Sequence, residues 1–511
     1  MWQRFATQHR MTKRLLTALS ASAALALCLP TPLAADDHSP NASSAMLEAQ
    51  VSVTEHSGVF GGQRIDYTAT IGETILTADD GTPEAVIVTT SYVANPSDAS
   101  RPVFFIYNGG PGSGSVWLQM GAWGPKRVGI PSDARDDGAP PYPLLDNPDS
   151  LLDVADLVFI DPPGTGFSYL TEGTDPEKYY GLRQDARAIA QVIRRWINDN
   201  GRWSSPKYIG GESYGTTRTA MLVDELEGAT YNDVGLNGLI LISTILDFAA
   251  REPTPGNEMA YVVTLPNMAA AAYYHGKVEA ESVEAIAEEA RQFAIGPFAS
   301  ALLQGQNLPA SERAAVRAEL SRLTGLSEEY LEQANLRVTS QRFYKELLRD
   351  RGLTIGRLDA RYIGVDYDNA GETPDADPSF YGIDAGYTAA VNQWAREGLG
   401  FVTDRPYNSI GREPGRYWDW TLPGQGRNAY LNVAPFIGRA MRQNSQLRVF
   451  NAQGWYDFAT PFFGAEYSLN RMGIPQDRIT YEYYDAGHMM YVRDEDRVKL
   501  SEDLRAFIRA Q

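Results

Sequence analysis

The stretch KYIGGESYGTTRTAMLVDELE, residues 207–227, decides the fold. KYIG reads as a short buried strand, and TTRTAMLVDELE reads as a helix. Between them stands GESYG, residues 211–215, a G-x-S-x-G at a strand–turn–helix junction. A turn this sharp needs glycines, because neighbouring backbones approach closely, and it lifts the Ser213 hydroxyl above the sheet edge. The pentapeptide is weak by itself, so its setting has to carry the reading.

Outward from it, short apolar runs recur: VFFIY at 103–107, LVFI at 157–160 and LILIS at 239–243. Between the second run and KYIG lies GLRQDARAIAQVIRRWINDN, whose apolar residues repeat at helical spacing. Buried strands alternating with amphipathic helices predict a mostly parallel sheet covered on both faces. Residues 51–93 read as β, with RIDYTATI, ETILTA and AVIVTTSYV set between turn signals. The rhythm stops near Asp247. Residues 250–430 carry helix-forming blocks, VEAIAEEARQFAI and SERAAVRAELSRL, then Gly/Pro/Tyr/Trp-rich loops as far as YWDWTLPGQG. Strands return at LRVFNA (447–452) and ITYEYY (479–484), followed by the amphipathic DRVKLSEDLRAFIRA. A sheet left unfinished until these late strands predicts one α/β domain, core 51–249 and 431–511, with a large helical cap insertion at 250–430. With the elbow at 211–215, the expected class is the α/β-hydrolase fold.

At the N-terminus, Arg10, Lys13 and Arg14 precede LLTALSASAALALCLP, and small residues lead to Ala35. This pattern predicts a signal peptide at 1–35 and a loose polar leader at 36–50. The apolar run, broken by Ser, Thr and Pro, is short for a membrane span. The single cysteine, Cys28, lies within it, preceded by a bulky Leu27 where a lipoprotein site wants a small residue. The expectation is an exported chain, periplasmic or secreted, without disulfides and without a stable span. Its balance of 45 Lys+Arg against 64 Asp+Glu disfavours nucleic acid or an anionic membrane as partner.

A serine nucleophile needs a base, and five histidines are available. His9 falls in the signal, His38 in the leader, His56 before the parallel strands and His275 in the insertion. His488, in YYDAGHMMYV, follows the last strand at a tight turn, where the chain order Ser, acid, His puts the base. Asp457, in RVFNAQGWYDFATP, follows the preceding strand and is the expected acid, with Asp485 as rival. The loop NGGPGSGSVW after VFFIY invites an anion. It lacks the Gly-Lys-Ser/Thr of a phosphate-binding loop and the spacing of a dinucleotide fingerprint. The remaining reading is an oxyanion donor, acting with the N–H of Tyr214, the residue after the nucleophile.

Four blocks together, NGGPGSGS, DPPGTGFSY (161–169), GESYG and the pair GWYDFATP and AGHMM, resemble the serine carboxypeptidase family of α/β hydrolases. The resemblance implies removal of C-terminal residues from peptides with a free C-terminus. It implies a Ser213, Asp457, His488 triad, an oxyanion hole at Gly110 and Tyr214, and binding of the substrate carboxylate by Asn108 and Glu212. A carboxyl pressed against a substrate carboxylate should be protonated when substrate binds. No metal or organic cofactor is implied. Two positions depart from the family pattern: Ile106 stands where a Trp is usual, and Ala122, in GAWGP, where a Glu is usual. Both usual residues belong to the carboxylate-binding network. Ser113 stands where eukaryotic members have a Cys, so a bacterial member is expected. An esterase or acyltransferase using the same triad, and a non-catalytic binding module, are the competing readings.

Overall fold

The runs VFFIY, LVFI, KYIG and LILI are too apolar for any surface, and all become central strands. The computed structural model describes residues 47–228, 233–251, 253–422, 424–425 and 429–510, so the expected signal segment 1–35, with Cys28, and most of the leader lie outside the described residues. Glu48–Gln511 pack as one compact unit. In chain order, β1 (Val51–Phe60), β2 (Gln63–Thr77) and β3 (Pro83–Asn95) form an antiparallel meander. Then come β4 (Val103–Tyr107), a small hairpin β5 (Lys126–Val128) and β6 (Leu144–Asp146), β7 (Asp156–Ile160) and β8 (Tyr169–Leu170). Helix α1 (Leu182–Asp199) leads to β9 (Lys207–Glu212), α2 (Tyr214–Glu227) and β10 (Gly238–Ile242).

Next follow helices α3 (Met259–Tyr274), α4 (Val283–Phe293), α5 (Ala299–Gln304), α6 (Ala310–Thr324), α7 (Glu328–Gln333) and α8 (Ser340–Glu346). The two-residue strands β11 (Thr354–Ile355) and β12 (Ile363–Gly364) precede α9 (Pro378–Tyr381), α10 (Asp384–Gln393) and α11 (Arg412–Tyr417). The chain returns to the sheet through α12 (Ala434–Gln443), β13 (Arg448–Gly454), α13 (Phe462–Leu469), β14 (Ile479–Tyr484) and α14 (Asp494–Arg509).

The main sheet runs β1-β2-β3-β7-β4-β9-β10-β13-β14, with β8 on β3. From β7 to β14 every pairing is parallel. Alternate residues serve the two faces, as a pleat demands. Phe104, Ile106, Phe159, Ile240 and Phe450 share a core with Leu500, Leu504 and Phe507 of α14. Phe105, Val158, Ile209 and Leu241 pack instead against α1, α2 and α12 through Ile189, Met221 and Ile437. Helices on both faces of a mostly parallel sheet make this the expected α/β-hydrolase fold.

The late part of the insertion differs from expectation. Residues read as loops contain α9, α10 and α11. Asp377 caps α9 by accepting from Ser379 N–H, and Pro378 opens the helix with its φ already set. Turns as short as α9 and α11 carry no helical repeat in the sequence, so periodicity passes over them.

At the N-terminal ends of the parallel strands, the Asp156 carboxylate takes Arg202 Nη1 at 2.6 Å, Arg101 Nε at 2.8 Å and Ala94 N–H at 3.0 Å. This knot joins β3, β4 and β7 at the end of the sheet remote from Ser213. Asp156→Ala would leave Arg202 buried and uncompensated. The expected loss is about 3–5 kcal/mol, read from the urea unfolding midpoint, and an unchanged midpoint would refute it.

Candidate active site

Each candidate group stands just beyond the C-terminal end of a parallel strand. Asn108 follows β4, Asp161 follows β7, Ser213 follows β9, Ser243 follows β10, and Asp457 and His488 follow β13 and β14. Strands running the same way gather these ends along one edge, where open α/β sheets place their sites.

At the elbow Ser213 has φ 62 and ψ −128, a conformation that side-chain-bearing residues rarely adopt. Its N–H donates to Ile242 O at 2.9 Å, and its carbonyl accepts from Thr216 N–H at 2.9 Å. Ser213 is half-buried between buried neighbours. The Gly-rich loop presses onto this turn. A Cβ on Gly109 would lie 2.5 Å from Glu212 O, 2.6 Å from Tyr214 N and 2.7 Å from Gly215 N, so only glycine fits. Gly110 follows with φ +103. Among the described residues, neither Gly110 N–H nor Tyr214 N–H has an acceptor. Tyr214 opens α2, where unpaired N–H groups and the helix dipole favour a negative charge.

His488 Nδ1 lies 2.8 Å from Asp457 Oδ2. The other Asp457 oxygen accepts Ala459 N–H at 2.8 Å and Thr460 N–H at 3.0 Å, and Thr460 Oγ1 donates to Oδ2 at 2.6 Å. Asp457 is thus fully engaged, as an orienting carboxylate should be. Burial pulls the His488 imidazolium down, but the charge and hydrogen bond of Asp457, with Glu212, outweigh it, and the net shift is upward. His488 is tied to the elbow through β10: Ser243 Oγ donates to His488 O at 2.6 Å, and the preceding Ile242 O holds Ser213 N–H. No hydrogen bond joins Ser213 Oγ to His488 among the described residues; such bonds are often long before substrate binds.

The rival acid, Asp485, is half exposed, faces Arg493 and makes no contact with the imidazole. His56 stacks on Tyr67, and His275 Nε2 lies 2.7 Å from Ala360 O, both apart from Asp457.

Glu212, immediately before Ser213, is buried with no cation partner. Its Oε1 accepts from Asn108 Nδ2 at 3.2 Å and its Oε2 from Tyr491 Oη at 2.6 Å. Burial, reinforced by the Asp457 charge, pushes its carboxyl up to about 7 against the pull of His488, Tyr491 and Asn108. The two departures, Ile106 and Ala122, are both wholly buried in the hydrophobic core. Ser113 Oγ accepts from Trp117 Nε1 at 2.9 Å.

Sequence reading missed several supports. Arg218 in α2 is fully buried and donates to Asp185 Oδ2 at 2.6 Å and to the Asn108 carbonyl. Its guanidinium lies 5.4 Å and 5.3 Å from the ring centres of Tyr107 and Tyr214. Asp161 accepts from Ser115 N–H at 2.8 Å and from Tyr407 Oη at 2.9 Å, pinning the Gly-rich loop to the insertion. An unusual charge at the fifth residue of α2 was the one local signal for Arg218. Thr460 and Tyr491 gave none. No cluster of residues able to hold a metal occurs among the described residues.

The chain was compared with known proteins. A sequence model described as serine carboxypeptidase matches residues 90–348. Serine carboxypeptidase-like 13 of Arabidopsis thaliana is 29% identical over 161 residues, which cover 31% of this chain and 35% of that protein. Pheromone-processing carboxypeptidase KEX1 of Ogataea parapolymorpha is 33% identical over 136 residues, covering 26% of this chain and 20% of that one. These pairwise matches therefore span about a third or less of the relatives' own length. The family match, which takes in DPPGTGFSY and GESYG, extends over just over half of the 511 residues, and the chain belongs to the serine carboxypeptidase family.

Proposed function

We propose that this chain is an exported serine carboxypeptidase that removes single residues from the C-terminus of peptides. The observation that carries this reading is the buried, cation-free Glu212 carboxyl. Asn108 holds it one residue before a strained serine, so a neutral acid stands beside the nucleophile. A neutral carboxyl and an amide are the donors that receive a carboxylate without burying two like charges. Family membership supports the peptide substrate. Export rests on the N-terminal sequence pattern, and among the described residues no helix is long and apolar enough to cross a membrane.

In this mechanism Ser213 Oγ attacks the last peptide carbonyl while His488 Nε2 takes its proton. Asp457 accepts from Nδ1–H and keeps Nε2 free to act as base. The tetrahedral oxyanion lies against Gly110 N–H and Tyr214 N–H, each donor worth about 3 kcal/mol in the transition state. Collapse breaks the C–N bond, and His488 returns the proton to the departing amine. Water, deprotonated by His488, then cleaves the acyl-enzyme and restores Ser213.

A benzoyl dipeptide with a free C-terminus should lose one amino acid, and Ser213→Ala should lower kcat at least about 10⁴-fold. Turnover of simple esters with the peptide left intact would favour the esterase or acyltransferase reading. Absence of any Ser213-dependent labelling by a fluorophosphonate would favour a binding module.

The pH dependence has a definite sign. Glu212 is protonated below about 7 and charged above it, so a peptide acid is repelled as pH rises through that value. Titration of His488 affects acid and amide substrates alike and cancels in their ratio. The kcat/KM ratio of the peptide acid to its C-terminal amide should therefore be flat at low pH and fall towards about tenfold per pH unit above Glu212's pKa. A ratio independent of pH would refute the role given to Glu212.

A further inference from the structure

We propose that Tyr491 is a positioning residue for carboxylate recognition, its hydroxyl fixing the Glu212 carboxyl in the place of the Trp and Glu partners absent at Ile106 and Ala122. This rests on the reading of Asn108 and Glu212 as the carboxylate site.

Tyr491 sits in a short helical turn, Met490–Val492, just after His488, and only 1% of its surface is exposed. Its Oη donates to Glu212 Oε2 at 2.6 Å, while Asn108 Nδ2 reaches Oε1 at 3.2 Å. Asn108 is itself fixed, its Oδ1 accepting from Leu118 N–H at 3.1 Å. In a protonated carboxyl the carbonyl oxygen is the better acceptor. With Oε2 taking the Tyr491 hydroxyl, a proton carried on Oε1 would stand beside the Asn108 amide. Two donors then stand side by side on the Asn108 face, matched to the two oxygens of a carboxylate.

Space for this tyrosine depends on a small residue at Gly121. Gly121 and Ala122 lie in the wide turn Leu118–Trp123. A Cβ on Gly121 would fall 2.7 Å from the Tyr491 ring, so this part of the turn has to stay small. Burial and the nearby Glu212 charge hold the phenol far above its ordinary value, so it stays a donor throughout the working range. The other ionisable groups that act on this pair are His488 and Asp457, from the loops after β14 and β13, and Tyr387 from α10. A Tyr491→Phe change leaves all three in place.

A hydrogen bond to a carboxyl favours its charged form, so removing this one raises the Glu212 pKa. The test compares wild type with Tyr491→Phe on benzoyl-Phe-Ala and on its C-terminal amide, between about pH 5 and about pH 9. In the variant, the fall of the acid-to-amide kcat/KM ratio should move up by about one pH unit, changing the ratio at high pH by up to about tenfold. A fall at the same pH in both proteins overturns the proposal, as does an equal shift of the acid and amide profiles together, the mark of a merely structural change. If the wild-type ratio itself shows no fall, the carboxylate reading of Asn108 and Glu212 fails, and the role of Tyr491 with it. A readout independent of the variant's folding is the carboxyl C=O stretch of wild-type Glu212, assigned as the infrared band lost in Glu212→Gln. A frequency lowered by a strong hydrogen bond supports Tyr491 as its donor, and a free-carbonyl frequency overturns it.

Discussion

Everything at this site depends on holding Ser213 at φ 62, where an L-residue pays a steric penalty of about 1–3 kcal/mol. The conformation persists because every neighbour fixes it. Strand β9 brings the chain in between β4 and β10, Ile242 O takes the serine N–H, and α2 leads the chain out at once. The loop after β4 then closes on the turn so tightly that Gly109 has no room for a Cβ. One strained residue thus sets the exposure of its own hydroxyl, the position of Tyr214 N–H and the seat of the Gly-rich loop.

The molecule buries its ionisable groups in two ways, and the difference follows their task. Asp156 with Arg202, and Asp185 with Arg218, are paired charges whose hydrogen bonds brace the frame. Such pairs offset their desolvation only with close geometry, and both have it at 2.6 Å. Glu212 has no cation. Its partners are an amide and a phenol, and burial therefore holds it near neutrality, pushed up to about 7. An arginine in this position would hold the carboxyl charged and hostile to a second carboxylate. These two pairs are ionic, whereas the carboxyl proposed for substrate recognition has only uncharged partners.

The parts legible in the sequence are those whose chemistry is local. A strand–turn–helix with G-x-S-x-G at its bend shows itself in consecutive residues, and so do apolar runs filling central strands. The meeting of His488 with Asp457 was legible for a related reason: chain order in this fold leads to the ends of particular late strands. Tyr491 and Thr460 were not, because each acts across the fold. Tyr491 and Glu212 are 279 residues apart, and nothing in either local pattern marks the other. Arg218 was hidden for the opposite reason, since a charge on a short helix is usually solvated and this one is fully buried. Ile106 and Ala122 were legible as departures from the family pattern. Their consequence was not, because the phenol that meets Glu212 arrives from beyond the last strand.

The insertion, read from sequence as a cap over the cleft, is built into the site itself. Leu358 O accepts His488 N–H at 2.6 Å, Arg357 O accepts Phe458 N–H at 3.1 Å, and Asn267 of α3 donates to Asp457 O at 2.8 Å. At the other side, Ser409 O takes Gly114 N–H and Gly411 N–H reaches Gly112 O, so the insertion also grips the Gly-rich loop. His488, Phe458 beside Asp457 and the Gly-rich loop are each anchored by backbone from this one segment, and Asp457 O by the Asn267 side chain. Such bonds constrain where a main chain runs, whatever side chains it carries. Side chains facing the cleft can then vary freely while the backbone still holds the catalytic geometry. That division explains how the least patterned part of the sequence can be the part on which the strictest distances rest.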